Sequence, residues 1–267
     1  MIKFWIERLG EKAIHYCHLL GRLLWLLGRI LCSWQVKSLF IFFKELSIFA
    51  FSALPLMVVC GLFIGMVLGL EGYHSLIHFH AENSLGALVA ISLLREIGPV
   101  LAALFFASSI GSALSSEIGL MKASDQLLAL KSLGINVLDR VIAPRFWAGI
   151  VAMPLLALIV NAVAILGCYW VVVKGYASDA SSFWYSMHQS LHLGYDLGGS
   201  ILKSLCFGGL VTLVALFNGL SARPTPAGIL KATNQTVVWS SVGVVVVDLV
   251  LTPVSYTHLT LPTSDLV

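Results

Sequence analysis

Two ionisable side chains stand next to each other in an apolar stretch: Arg95 and Glu96, in the run Leu93-Leu94-Arg95-Glu96-Ile97-Gly98-Pro99. Charge at such a place is costly, so these groups should face a cavity or a partner. Pro99 adds to the point. It has no N–H, so the carbonyl of Arg95 loses its helical donor, and irregular backbone at membrane depth is tolerated only where protein or water covers it. Lys203 enters a later apolar stretch near one end, and Asp248 lies within the last one. Two chemistries fit these four residues. In the first, Arg95 pairs with Glu96 or Asp248 and pins helices together while Lys203 snorkels to the interface. In the second, the cations bias an anionic headgroup in a lipid-sized cavity, making Arg95, Glu96 and Lys203 the candidate substrate-binding residues.

The other chemical signals are weaker. His74, His78 and His80 are close enough in sequence to suggest a metal, but no Cys or well-spaced carboxylate joins them, and they read as solvated loop histidines, leaving no metal site and no cofactor. There is no Gly-Lys-Ser/Thr phosphate loop, no H-E-x-x-H and no G-x-S-x-G, so the chain is expected not to hydrolyse ATP itself and not to be an enzyme. Between Met121 and Gly134, Leu127, Leu128, Leu130 and Leu133 alternate with Lys122, Asp125, Gln126 and Lys131. That pattern predicts a short amphipathic helix stopping at Gly134, able to dock on another protein or lie on a membrane.

These residues need a membrane scaffold to position them. Only 11% of the 267 residues are Asp, Glu, Lys or Arg, against about 25% in soluble chains. With 58% hydrophobic residues and a mean hydropathy of +0.94, the surface should mostly face lipid. Five apolar stretches are long enough to cross a bilayer: approximately Ser47 to Leu70, Ser84 to Ser116, Phe146 to Val173, Ser200 to Leu220 and Thr236 to Val254. The fold class expected is therefore an all-α integral membrane protein. Pro55 and the short loop Glu71 to Asn83 leave a re-entrant hairpin as the alternative for the first stretch. The second would make about 50 Å of helix and must tilt, kink or project.

Lys and Arg set the orientation. Lys3, Arg8, Lys12, Arg22, Arg29, Lys37 and Lys44 precede the first span; Lys122, Lys131, Arg140 and Arg145 follow the second; Arg223 and Lys231 follow the fourth. Lys174 alone lies on the other side, which places the N-terminus in the cytoplasm. Leu19, Leu20, Leu23, Leu24, Leu27 and Ile30, with Arg22 and Arg29 between them, predict an interfacial helix within residues 1–45 rather than a signal peptide. A short helix packed on the rest of the protein is the alternative. Two small-residue stripes, Gly61, Gly65 and Gly69, then Ala103, Ala107, Gly111, Ser115 and Gly119, predict close helix approach or a homodimer seam. Five scattered cysteines suggest no disulfide framework, and a formal net charge of +3 is small for a nucleic-acid binder.

Taken together, Ser92 to Val100, Gly111-Ser112-Ala113, Glu117 to Lys122, Pro144-Arg145-Phe146-Trp147-Ala148-Gly149, Phe217-Asn218-Gly219, Pro224 to Ile229 and Asp248 to Thr252 closely resemble the MlaE permease family. The resemblance spans most of residues 46–252. It implies an inner-membrane permease subunit of an ABC system that moves phospholipid between inner and outer membranes and maintains outer-membrane lipid asymmetry. It also implies partners: a second permease copy, an ATPase subunit, a STAS-domain subunit and a periplasmic MCE-domain hexamer. By that likeness the helix within about 122–134, with Asp125, Leu127, Leu128, Leu130 and Gly134, couples to the ATPase, and Arg95, Glu96 and Lys203 line the lipid pocket. Two departures stand out. Ser108-Ser109-Ile110 occupies a place where the family often carries Arg, and the polar residues 253–267 read as a non-native tail. The rival readings are a proton-coupled secondary transporter relaying through Glu96 and Asp248, and an integral-membrane enzyme using Arg95 and Glu96.

Overall fold

The computed structural model describes residues 18, 21–32, 39–176, 179–191 and 193–259, with side chains through Pro253, Leu193 excepted. Among the described residues the regular structure is entirely helical, and five helical segments are long and apolar enough to cross a membrane: Leu39–Ile77, Glu82–Ala123, Leu138–Gly175, Gly194–Ser221 and Pro226–Pro253. The chain is an all-α integral membrane protein that passes the membrane several times. Most of the expected interfacial segment 1–45 and the end of the expected tail 253–267 lie outside the described residues.

Helix α1 covers 21–32. Its Leu26 and Ile30 are buried against the core while Leu24, Trp25 and Leu31 are exposed, so apolar groups leave it in two directions. Helix α2, Leu39–Ile77, is unbroken through Pro55, and its 39 residues reach about 58 Å. The first span is thus one continuous helix, not a hairpin.

The glycine stripe of α2 explains its placement. Gly61, Gly65 and Gly69 face Val160, Ala164 and Cys168 of α7, Ala143–Tyr169, and a Cβ on Gly65 would overlap the Ala164 carbonyl. Gly167 of α7 meets the Leu62 backbone in return. Backbones approach this closely only where side chains are missing.

The second span reads α3 Leu85–Ser92, a π turn Leu93–Ile97, α4 Gly98–Phe106, a π turn Ala107–Gly111 and α5 Ser112–Ala123. Two π turns therefore interrupt the long second span. The first π turn has an evident cause. The Gly98 N–H bonds back to the Leu93 carbonyl, five residues away, immediately before the missing N–H of Pro99. The same device recurs at Leu138–Ile142, where the Ala143 N–H reaches Leu138 just ahead of Pro144. Ala103, Ala107 and Ser115 are fully buried, and Gly111 and Gly119 lie against Val211 and Ile229, so this stripe packs within the bundle.

Helix α6, Gln126–Ser132, is shorter than the Met121 to Gly134 pattern predicts. Met121, Lys122 and Ala123 complete α5, and Asp125 in the left-handed region (φ 57°) breaks the chain direction before α6 begins. Gly134, at φ 73°, ends the unit, with its N–H bonded to Lys131 and that of Ile135 to Leu130, the αL stop that its glycine permits. Helices α8 Ala180–Ser190, α9 Leu193–Ser221 and α10 Pro226–Leu259 complete the order. The lipid-scale surface is plainest on α10, where Val238, Val242, Val245, Val246, Leu249 and Val250 are exposed.

Candidate functional site

Three spans converge on one polar centre. The π turn of the second span presents Arg95 and Glu96, α9 presents Asp196 and Lys203, and α10 presents Asp248 and Thr252. Asp196, Ser200 and Lys203 follow helical spacing along one buried face of α9.

Arg95 Nε donates to Asp196 Oδ1 across 2.7 Å; Asp196 keeps 3% of its side chain exposed and Arg95 35%. Lys203 is 4% exposed and its Nζ has four acceptors in reach: the Arg95 carbonyl at 3.1 Å, Glu96 Oε2 at 3.0 Å, Thr252 Oγ1 at 2.9 Å and Asp248 Oδ1 at 3.1 Å. The Thr252 hydroxyl in turn donates a hydrogen bond to Glu96 Oε2 at 3.2 Å. The carbonyl that Pro99 deprives of a backbone donor is therefore satisfied by an ammonium from another helix. Buried ions persist when paired and hydrogen-bonded, and a π turn supplies the bend that brings them together.

The sequence reading is corrected in two respects. Arg95 pairs with Asp196, not with Glu96 or Asp248. Lys203 is buried among acceptors instead of snorkelling outwards. Arg95, Glu96 and Lys203 do meet, as expected, but Arg95 and Glu96 face outwards while Lys203 stands behind them. Asp196 and Thr252 were missed; an acid seven residues before Lys203 on the same helical face was the available signal. Asn161 was missed as well. It is 2% exposed, its amide has no hydrogen-bond partner among the described residues, and it fills the space a Cβ on Gly98 would occupy.

A second ionic cluster ties the opposite end of the bundle. Arg145, at the start of α7, reaches Glu117 of α5 at 2.5 Å and Glu45 of α2 at 3.3 Å, with Met121 Sδ at 3.6 Å. Lys122 Nζ closes the end of α9 by donating to the carbonyls of Leu220 at 2.7 Å and Ala222 at 2.8 Å. These ties hold the root of the segment that carries α6. On α6 itself Leu127 is buried and Leu130 packs on the core, while Leu128 and Leu133 are exposed. Asp125 and Gly134 bracket the helix as its left-handed start and stop.

The histidines do not gather. His74 Nε2 lies 3.1 Å from the Tyr176 hydroxyl, and Tyr176 stacks on Tyr73 at 4.3 Å. The Ser108 and Ser112 hydroxyls, around the second π turn, are spent on backbone: Ser108 Oγ donates to the Phe105 carbonyl, and Ser112 Oγ to those of Ser108 and Ser109.

The sequence is similar to known membrane permeases. Residues 42–254 match the family model described as Permease MlaE. The intermembrane phospholipid transport system permease protein MlaE of Haemophilus influenzae is 44% identical over 96% of this chain and 99% of its own length. A probable ABC transporter permease protein of Rickettsia typhi is 31% identical over 78% of this chain and 80% of its own. The chloroplastic protein TRIGALACTOSYLDIACYLGLYCEROL 1 of Arabidopsis thaliana is 28% identical over 71% of this chain and 54% of its own length.

Proposed function

The chain belongs to the MlaE permease family, and from that premise we propose that it is the membrane-spanning permease subunit of an ABC transport system that moves phospholipid between the inner and outer membranes, thereby maintaining outer-membrane lipid asymmetry. It resides in a bacterial inner membrane with its N-terminus in the cytoplasm. Two copies form the core, a separate ATPase with its STAS-domain subunit works from the cytoplasm, and an MCE-domain hexamer receives or delivers lipid on the periplasmic side.

The observation that carries the reading is the placement of half-exposed Arg95 and Glu96 over buried Lys203 inside an otherwise apolar bundle. Apolar helix faces hold acyl chains, and the polar centre holds the headgroup, which is the division of labour an amphipathic cargo requires. Lys203 and Asp196 keep Glu96 and Arg95 in position, since each outward group has a buried counter-ion behind it. Helix α6 meets the ATPase through Leu128 and Leu133, and its root at Arg145, Glu117 and Lys122 passes the motion into α2, α7 and α9.

The test is ATP-dependent phospholipid movement by the reconstituted complex. Transfer should stop when the ATPase's phosphate-binding Lys is replaced while a proton gradient is maintained. Transfer that persists under those conditions, and stops when the gradient is collapsed, would instead establish the proton-coupled transporter relaying through Glu96 and Asp248.

A further inference from the structure

Counting donors in the polar centre singles out Asp248. An ammonium has three N–H donors, and those of Lys203 are taken by the Arg95 carbonyl, Glu96 and Thr252. Asp248 Oδ1 lies 3.1 Å from Lys203 Nζ and feels its charge, yet it receives no hydrogen bond. Among the described residues no other donor reaches the Asp248 side chain. The charges agree with the donors: Arg95 is matched by Asp196, and one Lys203 is shared between two carboxylates. Among the described residues one anion is in excess, and it is the one without a donor.

Asp248 is not sealed off. Its Oδ1 is covered, but 22% of its side chain remains exposed, so the exposure belongs to its other atoms. Glu96 and Asp248 both contact the same ammonium, which places the two carboxylates side by side, with Arg95 adjoining Glu96 in the chain. The centre therefore leaves partly accessible one cation, Arg95, and the surplus anion, Asp248. A headgroup with only negative charge would meet Arg95 and repel Asp248. A headgroup carrying both a phosphate and a primary ammonium satisfies both groups, and its N–H bonds supply what Asp248 lacks.

We propose that Asp248 is a specificity-determining residue that accepts the primary ammonium of a zwitterionic aminophospholipid while Arg95 meets its phosphate. This rests on the proposed headgroup site. A quaternary amine carries the same charge without N–H donors and binds less well, and a headgroup without an amine binds least.

The intact complex in nanodiscs of equimolar phosphatidylethanolamine, phosphatidylcholine and phosphatidylglycerol, followed by quantification of the lipid retained on the purified protein, tests the idea. The expected result is retained lipid enriched in phosphatidylethanolamine on the order of tenfold over phosphatidylglycerol, with phosphatidylcholine between them. Asp248→Asn should bring that ratio close to one, chiefly by lowering the phosphatidylethanolamine retained. Because the wild-type ranking is read without any variant, a folding defect in Asp248→Asn does not blunt the test. Retained lipid of unselected composition in the wild type, or selection that survives Asp248→Asn, overturns the role of Asp248 and leaves the headgroup site standing. Absence of retained phospholipid in the wild type overturns the headgroup site itself, and this inference with it.

Discussion

Lys203 Nζ on the fourth span donates across 3.1 Å to the carbonyl oxygen of Arg95 on the second, doing for that oxygen what a backbone N–H does elsewhere in the helix. One side chain thereby compensates a proline and anchors two carboxylates. Lys203→Met should cost about 3–5 kcal/mol, because it strands Glu96 and Asp248 without a counter-ion. Thermal unfolding of the purified protein checks this, and a midpoint equal to wild type would mean that the centre is not held by Lys203. Replacement of the proline is a milder change: Pro99→Ala restores a backbone donor and should leave the fold intact.

The α2–α7 contact predicts an order of severity. At Gly65 an added methyl overlaps backbone, which cannot swing aside, whereas at Gly61 the nearest atom, the Val160 carbonyl, is 3.2 Å away. Gly65→Ala should therefore lose about 1–3 kcal/mol and Gly61→Ala distinctly less. Comparison of unfolding midpoints in one detergent decides it, and equal losses would contradict the close approach.

Leu127 and Leu128 are neighbours in sequence with opposite environments, the first buried and the second exposed. Leu128→Asp should abolish copurification of the ATPase with no loss of thermal stability. Leu127→Ala should lower stability by roughly 2 kcal/mol. A Leu128→Asp protein that still retains the ATPase would remove α6 from the interface.

Asp179 caps α8 outside the spans. The Ser181 hydroxyl and the Ser182 and Ser181 amides donate to its carboxylate and hold its pKa below the usual carboxylate value. A group whose folded pKa is depressed stabilises the fold above its unfolded pKa and loses that contribution as pH falls through the folded value. Protection of the first turn of α8 against hydrogen exchange, taken relative to the intrinsic rate at each pH, should accordingly be high near neutrality and fall only below the ordinary carboxylate range. In Asp179→Asn it should be insensitive to pH there; a wild-type profile equally flat would refute the cap.

Much of the arrangement was legible from local chemistry. The five spans follow from runs of apolar residues, and Pro99 beside Arg95 marked an orphan carbonyl before any partner was visible. What could not be read was pairing. Asp196 lies about a hundred residues from Arg95 in the chain, and only the packing of α9 against the π turn brings them together. The same limit applies to α6, whose apolar spacing ran straight through the left-handed Asp125 because periodicity carries no record of a backbone break. The small-residue stripes announced close contact without naming the partner, and α7 emerged as the neighbour of α2 only in three dimensions.

The bond from Arg145 to Glu117 joins residues on either side of the excursion that carries α6. Mechanically this turns a tether into a bracket. A string tied at two distant points takes up slack before it pulls, whereas a loop pinned at its neck passes on displacement from the first ångström. The excursion could therefore be lengthened or trimmed near Ile135 with little effect on how force is delivered, while loss of the pin at its neck would leave a well-docked α6 pushing on something that yields.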